Sequence, residues 1–184
     1  MRHLMLIDGN YLFFSQKRLD FLKFKKRLEQ TLQKKIVETH YVENILDPTK
    51  QQNFYTWLRS AEPFGPHFQV HLLPMREVRI NCDHCGKWVT KPVVDGVEGQ
   101  LGILMHKLAY QDKFDRLILV SGDATHAETV RYLKDEEKRR VIVCGYEGTV
   151  SVDLQNAADF VIWIDKFYNE IKREPKAGSE ELPS

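Results

Sequence analysis

Three carboxylates occupy positions from which a chain could aim them at a ligand. Asp8 ends the apolar run Leu4-Met5-Leu6-Ile7, Asp123 ends the run LILVSG, and Glu98 falls in the first turn of the amphipathic stretch that follows Asp95. In an open parallel sheet, ligands bind outside the carboxyl ends of strands. Carboxylates gathered there are costly unless a cation neutralises them, and Mg²⁺ or Mn²⁺ with oxygen ligands and waters is the common solution. Asn10, two residues after Asp8, can hold a water or a carboxylate with its amide, and the Ser121 hydroxyl can donate to a phosphate oxygen. Each residue alone reads as an ordinary turn or cap. Their coincidence at separate strand and helix ends favours a site.

The elements that must position these groups alternate. Short apolar runs at His3 to Ile7, Ile36 to Asn44, Phe68 to Leu73, Arg116 to Val120, Arg140 to Cys144 and Phe160 to Ile164 read as strands. Amphipathic stretches between them read as helices, so the fold class is α/β, a mostly parallel Rossmann-like sheet sandwiched by helices. The first helix is expected over about Lys17 to Lys35, with Phe21, Phe24, Leu28 and Leu32 as its buried stripe. Asp47-Pro48-Thr49 opens a second, with Asp47 as N-cap and Pro48 at the first helical position. Asp95 to Glu98 and Thr125 to Glu128 read as capping boxes of a third and a fourth. Two short alternating runs near residues 75–94 form a β-hairpin excursion. Residues 1–171 read as one domain and 172–184, polar with two prolines, as a disordered tail.

The 184 residues are 42% hydrophobic and carry 27 Lys+Arg against 26 Asp+Glu, a net charge of +1, so no global field selects a nucleic acid or a membrane. Asp8 interrupts any signal-peptide core, and no window approaches the roughly 20 apolar residues of a membrane span. A cytoplasmic protein is expected. Three cysteines do not suggest a disulfide framework.

The stretches LMLIDGNYLFF, DGVEGQLGILMHKLAYQDKFDRLILVSGDA, RRVIVCGY and NAADFVIWID together resemble an NYN domain, a branch of the PIN-like nucleases, in the right order over nearly all of residues 3 to 165. The resemblance implies a compact α/β fold whose acidic pocket binds Mg²⁺ or Mn²⁺ and cleaves RNA, leaving a 5′-phosphate and a 3′-hydroxyl. By position, Asp8 matches the first acid of that family, Asn10 its asparagine, Glu98 the acid of its third helix, normally aspartate, and Asp123 the acid of SGD. Two departures thin the pocket: Thr125 and Leu104 stand where the family often has further aspartates. Asp95 and Asp153 are weaker candidates to replace them.

Between Lys17 and Lys35 eight cations face two carboxylates, the densest basic stretch in the chain, and Lys23 and Lys26 are candidate phosphate contacts there. A solvated helix face explains the same charges. Tyr11, Phe13 and Phe14 could stack on bases, although two of the three are expected in the core. Cys82-Asp-His-Cys85-Gly has the spacing of half a Zn²⁺ knuckle. Its second pair would come from His67, His71 or His84, or from the same turn of a second subunit in a homodimer; a reduced turn without metal is the competing reading. The leading function is therefore a metal-dependent ribonuclease acting through Asp8, Glu98 and Asp123. The alternatives are a non-catalytic RNA- or protein-binding module that keeps the fold, and a phosphoesterase of small nucleotides.

Overall fold

A computed structural model describes residues 1–47 and 49–174. Six strands, β1 (His3–Asp8), β2 (Ile36–Ile45), β3 (Gln69–Pro74), β6 (Arg116–Val120), β7 (Arg140–Gly145) and β8 (Phe160–Trp163), form one sheet, and β4 (Arg76–Asn81) and β5 (Trp88–Val93) form a separate antiparallel hairpin. The sheet is parallel throughout, in the order β3-β2-β1-β6-β7-β8. The chain builds outward from β1 to β3 in one direction and from β6 to β8 in the other. The order thus reverses between β1 and β6, where an open α/β sheet leaves its crevice.

β1 is buried on both faces, as a central parallel strand must be. Its Met5 and Ile7 pack with Phe24 and Leu28 of α2 (Phe21–Leu32) on one side. Leu4 and Leu6 pack on the other with Leu101 and Met105 of α4 (Val97–Tyr110) and Val130 of α5 (Ala127–Asp135). The remaining helices are α1 (Gly9–Phe14), α3 (Gln52–Arg59), α6 (Val152–Ala157) and α7 (Tyr168–Ile171).

The sequence reading needs correction at the helix ends. The basic helix is shorter than expected: Asp20 caps it through Leu22 and Lys23 N–H, and Gln33, at φ +52°, stops it. The second helix begins at Gln52; Asp47 instead accepts from Thr49 in a turn, and Pro48 lies outside the described residues. Asp95 is not the cap of the third helix, because Gly96, at φ +88°, takes that place and the Asp95 carboxylate pairs with Arg76 at 3.1 Å. The Thr125 box does not form either: Asp123 accepts the Thr125 N–H at 2.8 Å and opens a 3-10 turn, Ala124–His126, that leads into α5. The helix α1 was not foreseen. Of the expected tail, Lys172 bridges to Leu19 and Arg173 N–H donates to Arg18, while residues 175–184 lie outside the described residues.

Candidate acidic site

Asp8 closes β1 and caps α1. One carboxylate oxygen accepts the Tyr11 N–H at 2.9 Å and the other accepts the Ser121 hydroxyl, from the end of β6, at 3.1 Å. The side chain is only 5% exposed, and burial pushes its pKa up to about 6 against the two donors, with the charges of Glu98 and Asp123 adding to the rise. The three predicted acids therefore share one electrostatic neighbourhood at the reversal point of the sheet. Among the described residues none of the three is ion-paired, and no three His, Cys, Asp or Glu side chains close into a ready-made metal cage.

Ser121, wholly buried, also accepts the Asp123 N–H at 3.3 Å, so one hydroxyl links two of the acids. The intervening Gly122 is required by space: a Cβ there would stand 2.2 Å from the Thr149 carbonyl oxygen. Leu104 is core, and Asp153 sits exposed in the first turn of α6.

Asn10 turns inward. Its amide donates to Asn44 Oδ1 at 2.8 Å and accepts the Asn44 N–H at 3.0 Å. Asn44 in turn donates to the Leu73 and Asp95 carbonyls and accepts the Asp95 N–H, so it fixes the loop that leads into α4 and Glu98. Sequence reading missed Asn44, which passes for a strand residue. It also missed Glu43, buried and held by the Tyr55 hydroxyl at 3.0 Å, and His126. The His126 ring is buried with its Nε2 unpartnered, feels the charges of Glu98 and Asp123, and borders the same hollow as Glu98. Burial holds that imidazole toward its neutral form.

A cleft of about 800 Å³ reaches Tyr41 and Glu43, which pack against Gly9, although none of the three acids lines it. Tyr41, Phe54 and Glu43 line it, Phe13 and Phe14 flank it, and Lys17, Arg18 and Arg173 stand along it. Phe13 and Phe14 are 66% and 64% exposed, so the expectation that two of the three α1 aromatics join the core fails; Tyr11 is half-buried, its hydroxyl bonded to Thr149 and the Tyr146 N–H. Several basic-stretch cations are spoken for: Lys17 pairs with Asp165, Lys25 is buried against Glu62, Arg27 pairs with Glu170 and Lys35 with Glu29. Lys23 is exposed in the first turn of α2; Lys26 and Lys34 share a surface hollow, and Lys34 acts on His3, at the opposite end of β1 from Asp8.

The NYN domain family model matches residues 2–165. The chain belongs to the NYN domain family. A solved structure of a protein of unknown function from Vibrio parahaemolyticus is 21% identical, with a TM-score of 0.66 over 94% of this chain and 96% of that one, and shows the same fold. A second, the MurG protein of Acinetobacter baumannii, is 15% identical at a TM-score of 0.43, over 88% of this chain and 41% of that one. No curated protein matches. NYN domains have the PIN-like nuclease fold and are generally divalent-metal-dependent. Among the described residues no helix is long and apolar enough to cross a membrane.

Proposed function

We propose that this NYN domain is a metal-dependent ribonuclease whose site is Asp8, Glu98 and Asp123. The observation that carries the reading is the state of Asp8: a nearly buried carboxylate, facing two more, with no cation among the described side chains to neutralise it. The donor set suits a hard divalent cation, because it is all oxygen and each Asp8 oxygen keeps a lone pair beyond its one protein donor. Since the carboxylates do not form a closed cage, the fit is to Mg²⁺ or Mn²⁺ that retains waters. Asp8, Asp123 and Glu98 would hold it. When bound, such a cation lowers the pKa of a water and polarises a phosphate.

The protein's own groups do the rest. Ser121 and the Tyr11 N–H orient Asp8, and the Thr125 N–H orients Asp123. Glu98, half-buried in the first turn of α4, would orient the attacking water or complete the shell of the cation. The cleft lined by Phe13, Phe14, Arg18 and Arg173 would offer exposed rings for unpaired bases and cations for phosphates.

A second reading is favoured by Leu104 and Thr125: a module that binds RNA, or a protein partner, at a thinned acidic pocket without turnover. One experiment separates them. Purified protein is incubated with end-labelled mixed RNAs with and without Mn²⁺, alongside Asp8→Asn and Asp123→Asn. Cleavage that needs the cation and disappears in both variants supports the nuclease. Retention of RNA with no cleavage under any cation supports the module.

A further inference from the structure

The β4–β5 hairpin is unlike the rest of the molecule. Its two strands pair only with each other, and a hairpin of this size is marginal in water by itself. Trp88, Val89 and Ile80 on it are left exposed. At its tip the Cys82 N–H donates to the Lys87 carbonyl at 2.9 Å and the Gly86 N–H to the Cys82 carbonyl at 2.7 Å, folding residues 82–87 into a tight turn that Gly86 completes at φ +66°. Two cysteines carried three residues apart on one such backbone-braced turn are half of a soft-metal site.

Nothing within the described chain completes it. No third Cys, His, Asp or Glu joins the pair, including His84 of the same turn. Cys144 is wholly buried in β7, and the His71 ring is stacked on His40 with its Nε2 2.9 Å from His40 Nδ1. Tetrahedral Zn²⁺ requires four ligands. The open side of the turn is clear: Cys85 is exposed, and apart from its chain neighbours nothing lies within 4 Å of where a Cβ on Gly86 would be.

The geometry points to a Zn²⁺ site shared between two copies of this chain, each giving Cys82 and Cys85. A second copy is the partner that brings the missing thiolate pair in the same preformed turn, and a two-fold axis at the tip presents both halves identically. Charge agrees with this. Zn²⁺ with four thiolates is left at −2, and each hairpin between residues 76 and 93 carries four Lys and Arg against two acids. On loading, the thiols release their protons to solvent and no redox partner is involved.

The test uses the full chain purified in reductant without chelator, with metal content and solution mass measured together. About half a zinc per chain in a dimer is the expected result. A chelator should split the dimer to monomer, added Zn²⁺ alone should restore it, and Co²⁺ in its place should show the visible absorption of a tetrahedral thiolate centre. Cys82→Ser/Cys85→Ser should be monomeric and metal-free, with unchanged helical circular dichroism because the hairpin lies outside the main sheet. Absence of zinc overturns the proposal, as does a monomer holding one zinc per chain, or a dimer indifferent to chelation. Each readout is independent of RNA cleavage.

Discussion

Asn10 in α1 and Asn44 in β2 lock together through their amides, with 2.8 Å between Asn10 Nδ2 and Asn44 Oδ1. Asn44 then reaches the Leu73 and Asp95 carbonyls, so one side chain joins β2, the end of β3, α1 and the approach to Glu98. Asn44→Ala strands several buried polar groups at once, each worth about 1–3 kcal/mol when unpaired. The expected loss is about 2–4 kcal/mol by urea denaturation, with a larger fall in RNA cleavage than in RNA binding. A variant as stable as the parent would mean that water replaces the amide at no cost.

Asp8 predicts a pH-dependent stability. Its folded pKa of about 6 lies above the ordinary 3.8, so the native state holds this proton more tightly than the unfolded chain does. The resulting stabilisation is complete below pH 3.8 and is lost as pH rises through about 6, a cost of about 3 kcal/mol at neutral pH. Asp8→Asn keeps an oxygen for the Tyr11 N–H and should melt higher than the parent at pH 7 but not at pH 4. Added Mg²⁺ should raise the parent's melting temperature and leave the variant's unchanged.

On the proposed function, RNA follows the cleft lined by Arg18 and Arg173. Arg18→Gln with Arg173→Gln should flatten the salt dependence of RNA binding, measured in EDTA, more than Lys26→Gln with Lys34→Gln, since the second pair lies in another hollow. Phe14→Ala should weaken single-stranded RNA by about 1–3 kcal/mol if its ring stacks on a base. Equal slopes in both cation pairs would place the RNA elsewhere.

Gly9→Ala tests how closely the site is packed. A Cβ on Gly9 would meet the Tyr41 ring at 2.7 Å and Glu43 Cβ at 2.8 Å, neither of which can retreat from the core. The expected cost is about 1–3 kcal/mol in denaturant, with lower cleavage because Asp8 is the preceding residue.

Strand β6 is legible to the residue, because the apolar run Leu117 to Val120, led by Arg116 and bounded by Asp115 and Ser121, fits a strand buried on both faces. Asp8 and Asp123 stand out as candidates because each follows such a run, and Glu98 because it falls in the first turn of a helix. Helix α1 is not, since six residues show no clear period and its cap is the same Asp8 already read as a candidate ligand. The basic helix reads too long because Lys and Gln near its ends are good helix formers, while its real stop is a left-handed Gln33. Asn44 and His126 carry no local signal at all. Their burial depends on segments brought together only by the fold.

The Asp8–Ser121 contact spans 113 residues of chain, and β1 finds its second neighbour only in β6. During synthesis β1 waits for the chain as far as β6 before it can be flanked on both sides. The three acids consequently assemble only after residue 123 has emerged, so on the proposed function an incomplete nascent chain has no gathered acidic centre with which to cut the RNA around it.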